Sequence, residues 1–277
     1  MSRRAAAKRS VWRYRAEGCK TFKDQLATEE PLQIRVGLPG LPAVDLAVTM
    51  RTPGHDFELV AGFLFGEGLF TQPEQVESMT YCTDRKDQQY NVVRLHLRAG
   101  VAFDSERLRR NVYTTSSCGV CGKQSLDQLE TVCPRLPYGP TRLDFDWVCS
   151  LPARLHHHQD LFERTGGLHA AAACLPNGEL DLVREDVGRH NATDKLVGRL
   201  FLDGRLPADD RVLLLSGRAS FELLQKAVMA GFATVVALGA PSTLAVELAD
   251  RFQVTLIGFT KASGFNLYTG RQRLADT

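Results

Sequence analysis

The apolar residues in the first half of the chain come in short alternating runs. Residues 32–36 and 44–50 pattern as strands, and 91–98 alternates most cleanly, with Val93, Leu95 and Leu97 set against Arg94, His96 and Arg98. Such alternation predicts a half-exposed strand. Thr52-Pro53-Gly54 breaks the pattern, and Phe57, Val60 and Leu64 then share one face of a helix predicted over 56–65. Gly62, Gly66 and Gly68 around its end suit close packing and helix termination.

The second half reads differently. Residues 211–216, 233–238 and 254–259 are continuous apolar runs, as expected of strands buried on both faces. Helices are predicted between them, over 220–230 and from Pro241, as first helical residue, to 251. Strand–helix–strand–helix–strand with short loops implies right-handed crossovers and a mostly parallel sheet. The predicted class is α/β, α+β overall, with a smaller N-terminal α+β domain. The expected division is an arm over 1–20, an N-terminal domain over 21–133, a linker over 134–140 and a C-terminal domain over 141–277. The linker holds Pro134, Pro137 and Pro140.

Composition narrows the function. The 277 residues suffice for about two domains, and the net charge of +2 is too small for a general nucleic-acid binder. The positive charge is uneven: Arg3, Arg4, Lys8, Arg9, Arg13 and Arg15 precede the first acid, Glu17, and read as a disordered basic arm. No apolar leader follows Met1, and no run approaches the roughly 18 apolar residues of a membrane span. A cytoplasmic protein is expected. Seven cysteines make an odd count, with Cys19, Cys82, Cys133, Cys149 and Cys174 scattered singly as small core hydrophobes.

The exception is Cys118-Gly119-Val120-Cys121, which follows the hydroxyl run Thr114-Thr115-Ser116-Ser117 and reads as a mobile loop. A free cysteine is roughly 3 % thiolate at pH 7, and lowering its pKa by two units brings this to roughly 75 %. Arg107, Arg109 and Arg110 lie just upstream, and Ser125 to Gln128 resembles a capping box that opens a helix behind the pair. Taken alone, C-x-x-C leaves sulfur transfer, disulfide exchange and zinc binding open. Structural zinc needs four ligands, and there is no second C-x-x-C and no H-x₃₋₅-H. His156-His157-His158 would point in different directions on a helix and reads as incidental.

Ligands of parallel sheets bind outside the carboxyl ends of the strands. Here those ends are Ser216-Gly217-Arg218, Gly239-Ala240 and Gly258-Phe259-Thr260-Lys261, with Arg218 and Lys261 as phosphate-binding candidates. Neither G-x-G-x-x-G nor a P-loop motif is present. Glu185-Asp186-Val187-Gly188-Arg189-His190-Asn191, followed by Asp194-Lys195, suits a ligand site or a tight hydrogen-bond network. His169 is placed at the start of a small-residue helix running into residues 170–173.

These segments together resemble the formate dehydrogenase accessory sulfurtransferase (FdhD) family. The matching stretches are Gly62-Phe63-Leu64-Phe65-Gly66-Glu67-Gly68, Cys118-Gly119-Val120-Cys121-Gly122, Thr165-Gly166-Gly167-Leu168-His169, residues 185–191, and Ser216-Gly217-Arg218-Ala219-Ser220-Phe221-Glu222. Gly258-Phe259, Phe265-Asn266 and Tyr268 continue the match. The resemblance implies a homodimer with a cytidine-deaminase-like C-terminal domain. It implies a sulfur carrier that takes persulfide sulfur from a cysteine desulfurase. The sulfur passes to the molybdenum bis(molybdopterin guanine dinucleotide) cofactor of formate dehydrogenase, with GDP as a mimic of the bound cofactor. Cys118 would carry the persulfide and Cys121 assist, while Phe259, Thr260, Lys261, Ala262, Ser263, Gly264 and Arg218 bind the cofactor. Many relatives have an arginine where this chain has Gly264, which shifts phosphate recognition toward Lys261 and Arg218. A zinc deaminase needs H-x-E and P-C-x-x-C, whereas this chain has His169-Ala170-Ala171 and Ser117 before the cysteines. The competing classes are a deaminase-type zinc enzyme and a non-catalytic cofactor chaperone.

Overall fold

A computed structural model describes residues 4–82, 90–101, 142–175 and 177–275. Strands β1 (Ala6–Arg15) and β2 (Gly18–Ala27) form an antiparallel two-stranded ribbon. Strands β3 (Glu30–Gly37), β4 (Val44–Arg51), β5 (Val76–Tyr81) and β6 (Val92–Leu97) form a four-stranded sheet in the order β4-β3-β6-β5. Helix α1 (Asp56–Gly66) follows β4. After α2 (Phe145–His156) and α3 (Asp160–Thr165) come β7 (His169–Cys174), β8 (Leu180–Asp186) and α4 (Arg189–Leu202). Next are β9 (Val212–Leu215), α5 (Phe221–Met229), β10 (Thr234–Ala237), α6 (Thr243–Arg251), β11 (Thr255–Lys261) and β12 (Gly264–Thr269). The six-stranded sheet has the order β12-β11-β10-β9-β7-β8.

Four expectations change. The sheet is mixed: β9, β10 and β11 run parallel, but β7 is antiparallel to both β8 and β9, and β12 is antiparallel to β11. The alanine run after His169 is strand, not helix. Ala171, Ala172 and Ala173 are wholly buried between two neighbouring strands, and that tertiary setting overrides alanine's helix preference. Pro241 stands outside its helix, bridging to Ala219, while Ser242 caps α6 by accepting from the Ala245 amide at 3.2 Å. Finally, most of the basic arm is ordered as β1 and the start of β2. Val11 faces Phe22, Arg9 faces Asp24, and the Arg13 guanidinium lies 3.1 Å from the Phe22 ring centre.

The linker lies outside the described residues. On either side of it the packing is continuous: one apolar cluster includes Leu32, Ile34 and Leu95 of the smaller sheet, Leu64 of α1, Leu196 of α4 and Val235 of β10. Helices α1 and α4 approach through two glycines. A Cβ on Gly62 would collide with the Asp194 carbonyl, and one on Gly198 with the Glu58 carbonyl. Among the described residues, no helix is long and apolar enough to cross a membrane.

Candidate functional site

Gly217, Gly239 and Phe259 tie the carboxyl ends of the parallel strands together. The Gly239 amide donates to the Gly217 carbonyl at 2.9 Å, and the Phe259 amide to the Gly239 carbonyl at 3.1 Å. Beyond Gly258 strand β11 is bulged, and Phe259 sits at φ 53°, a strained value for a bulky residue, with 44 % of its surface exposed. Thr260 is buried and donates through Oγ1 to the Ala237 carbonyl at 3.0 Å, fixing the segment from beneath. Lys261 pairs with Gly264 across the two-residue turn of Ala262 and Ser263, and the Lys261, Ala262 and Ser263 side chains are exposed. Gly264, at φ 146°, adopts backbone that disfavours a side chain. The 259–264 segment is therefore an exposed hairpin tip with one internal anchor.

A basic cluster stands at the neighbouring strand end. His169 opens β7, and its imidazole lies close enough to Gly217 that a Cβ there would be 3.3 Å from Nδ1. Burial pushes the His169 pKa down, and the charges of Arg189, His190 and Arg218 push it further the same way. Arg218 is exposed and makes no ion pair with a described residue. The Nε of Arg189 is buried and has no hydrogen-bond partner among the described residues. Arg189 and His190 occupy the first turn of α4, which contains no acid and is capped only by Gly188. Cations disfavour that end of a helix, whereas an anion there would meet free amides and guanidinium together. The arrangement can bind a phosphate or another oxyanion.

The rest of the 185–191 segment is scaffold. The buried Asp186 carboxylate accepts from the amides of Thr52 (3.1 Å) and Gly188 (2.9 Å), from Asn191 Nδ2 (3.1 Å), and pairs with Lys195 Nζ at 2.6 Å. Lys195 also donates to the Thr52 carbonyl at 2.9 Å, and burial lowers its pKa. Glu185 accepts from the Leu161 and Phe162 amides and so fastens α3. Arg51 grips Asp56 with two bonds of 2.9 and 2.8 Å. Tyr81 donates to the same carboxylate, and burial followed by that negative charge pushes its phenol up to about 12. Burial would raise the Glu58 carboxyl, but hydrogen bonds from His55 and Arg184 outweigh it and hold it at about 2. These pairs lock the loop after β4, α1 and β8 onto the start of α4.

Cys118 and Cys121 lie outside the described residues, as do Cys133 and the upstream arginines. The other cysteines divide. Cys149 and Cys174 are buried, and desolvation pushes the Cys174 thiol up to about 12. Cys82 is half-buried and Cys19 is exposed on the ribbon, so the core role expected for all of them fails at Cys19. Among the described residues, no group of three His, Cys, Asp or Glu side chains is placed to hold a metal, and His156–His158 lie exposed at the end of α2. The structure brings Arg218 and the 259–264 segment to one edge of the sheet. The sequence reading missed that His169 and Arg189 join them. The signal was present in two basic residues directly after Gly188, with no acid in the following turn.

The fold and site define a mixed α/β protein with exposed cations, Arg218 and Lys261, at the carboxyl ends of its parallel strands. Comparison with known proteins extends this: residues 27–275 match the profile of the FdhD/NarQ family. The chain is 50 % identical to the sulfur carrier protein FdhD of Streptomyces avermitilis, over 98 % of this chain and 96 % of that one. It is 46 % identical to the protein of the same name from Mycobacterium tuberculosis, over 98 % and 99 %. A crystal structure of a putative formate dehydrogenase accessory protein from Desulfotalea psychrophila superimposes with a TM-score of 0.75 over 98 % of this chain and all of that one. At 22 % identity it shows the shared fold. The chain belongs to the FdhD/NarQ family.

Proposed function

We propose that this protein is a sulfur carrier that matures formate dehydrogenase, acting as a sulfurtransferase through a cysteine persulfide. The observation that carries the reading is its end-to-end identity with relatives named sulfur carrier protein FdhD. The donor is a cysteine desulfurase. The Cys118 thiolate attacks the outer sulfur of the donor's persulfide, the S–S bond breaks, and the donor cysteine leaves as thiolate. Cys118 then holds the sulfur as a persulfide. The Cys121 thiolate attacks Cys118 Sγ, the S–S bond breaks, and the outer sulfur leaves at the sulfide level that a metal ligand requires. A Cys118–Cys121 disulfide is left for a cellular thiol to reduce.

The acceptor is the molybdenum bis(molybdopterin guanine dinucleotide) cofactor, bound as substrate, which takes the sulfur as a terminal ligand. The platform fits its pyrophosphates: Arg218 and Lys261 are exposed cations, and the buried Nε of Arg189 lacks a partner among the described residues. Phe259, held outward, offers a face on which a base can stack. Thr260, Ala262, Ser263 and Gly264 shape the turn. GDP carries the same nucleotide chemistry and serves as a mimic. The sheet order β8-β7-β9-β10-β11, with β7 opposed to the others, supports a cytidine-deaminase-like ancestry without the deaminase's zinc-binding sequence pattern.

Replacing Cys118 by alanine in a cell that depends on this protein should abolish formate dehydrogenase activity, while Cys174→Ala leaves it intact. Full activity in the Cys118→Ala strain would favour a chaperone that only shields the cofactor.

A further inference from the structure

Three helices and the edge strand β4 enclose a cleft of about 370 Å³ beside the basic cluster. Each helix contributes residues four apart, which lie on one face: Phe63 and Glu67 at the end of α1, His190 and Asp194 on α4, and Glu222 and Lys226 on α5. On β4 the lining residues include Val48 and Met50, 66 % and 48 % exposed. The cleft is thus apolar along Phe63, Val48 and Met50 and charged along α4 and α5. Ligand pockets run from roughly 300 to 1,000 Å³, and a cleft at the lower end of that range suits a small planar ring system.

The charged groups differ in what they already hold. Lys226 Nζ stands 2.6 Å from Asp194 Oδ1 and 5.8 Å from the centre of the Phe63 ring. Asp194 is 2 % exposed, and its contact with Lys226 is an ion pair without hydrogen-bond geometry, so Oδ1 keeps accepting capacity. Burial alone would lower the Lys226 pKa, but Asp194 and Glu67 outweigh it and keep the ammonium charged. Glu222 is engaged, meeting His190 at 3.0 Å. The Glu67 carboxylate makes no hydrogen bond or ion pair with a described residue, and burial pushes its pKa up. A half-buried carboxylate in that state lacks a donor. The cleft therefore offers an unsatisfied acceptor, a fixed ammonium next to it, and apolar faces on which a ring can lie.

That pattern matches one edge of a 2-amino-4-oxopyrimidine ring, which sets two N–H donors side by side and a carbonyl oxygen next to them. We propose that the cleft beside β4 binds the pterin ring of the cofactor, with Glu67 accepting from its amino group and ring N–H, Lys226 donating to its carbonyl, and Phe63 and Met50 covering its faces. This assignment rests on the acceptor proposed above and gives its pterin a place apart from its guanine, for which Phe259 is the candidate. His190 lines the cleft, and its charge also reaches His169 in the basic cluster, so the cleft adjoins the pyrophosphate platform. Guanine carries the same edge, so the two sources have to be told apart.

The probe is free pterin, followed by its fluorescence in titrations of the full-length protein, beside lumazine, which carries an oxygen in place of the amino group. The wild type should bind pterin about tenfold or more tightly than lumazine, because that oxygen would face the Glu67 carboxylate. Glu67→Gln should weaken pterin about tenfold and shrink the preference, since a glutamine amide can donate to lumazine. Met50→Lys, on the exposed apolar side, should weaken both pteridines about tenfold, and both variants should keep the wild-type melting temperature. Saturating GDP should leave pterin affinity unchanged. A wild type that binds no pterin, or binds pterin and lumazine alike, overturns the assignment, as does a Glu67→Gln variant with wild-type affinity and preference. Pterin displaced by GDP one for one would give the cleft to guanine and overturn it too. Any of these results, with sulfur still loaded onto Cys118, removes the cleft and leaves the sulfur carrier standing.

Discussion

At the scale of single residues, Arg218 and Arg189 form no ion pair with a described residue, although the adjacent His190 meets Glu222 at 3.0 Å. Had Arg218 or Arg189 been there for stability, each would be expected to face a carboxylate, as Arg51 faces Asp56 and Arg184 faces Glu58. His169 reports on this imbalance. Its folded pKa lies below the ordinary 6.5 because burial and three neighbouring cations disfavour its proton. The unfolded chain therefore binds more protons between those two values, and His169 erodes stability as pH falls through them. A bound phosphate reverses the local field and raises the pKa, so binding takes up a proton. GDP affinity should rise severalfold as pH drops below about 6.5, and His169→Gln should flatten that limb. Calorimetric titration across pH measures it directly, and a pH-independent wild type would remove the imidazole from the site. The strand pattern placed Arg218 and Lys261 at the carboxyl ends of β9 and β11, and the structure has them there. His169 and Arg189 were not so placed, because their meeting depends on which strand lies beside β9.

At the scale of elements, legibility followed the clarity of the apolar pattern. The buried runs at β9, β10 and β11 and the alternation at β6 were plain in the sequence, whereas α1, expected to bury one face through Phe57, Val60 and Leu64, is buried at nine of its eleven residues with Phe57 only partly covered. Strand β7 was misread because four alanines and a cysteine carry no period, and only burial between β8 and β9 makes them a strand. The ribbon was misread because its charges suggested solvation, although Val11, Phe22 and Arg13 pair across it. The α1–α4 contact is the joint that sets the smaller sheet against the platform. It depends on Gly62 and Gly198, whose missing side chains let the two backbones touch. Gly198→Ala should therefore cost about 2–3 kcal/mol as the helices are forced apart. Urea unfolding with an unchanged m-value would register that loss, whereas wild-type stability would mean the helices can separate freely.

At the scale of the whole molecule, the proposed sulfur carrier joins a thiol pair to a candidate nucleotide site, on a six-stranded sheet whose residues pack into two separate apolar clusters. The family follows from the chain's length and identity to its relatives, and the chemistry from the only closely spaced cysteine pair in the sequence. The other cysteines serve as a built-in control: the buried Cys174 thiol is held far from ionising at neutral pH, so it cannot compete as a nucleophile. The exposed Cys19 is the meaningful competitor. The decisive measurement is peptide mass spectrometry after incubation of the protein with a cysteine desulfurase and cysteine. The account predicts a gain of one sulfur atom on the peptide containing Cys118 and Cys121, reversed by reductant and absent from Cys118→Ala even though Cys121 remains. A sulfur adduct confined to Cys19, or no adduct while the desulfurase itself is loaded, would contradict it.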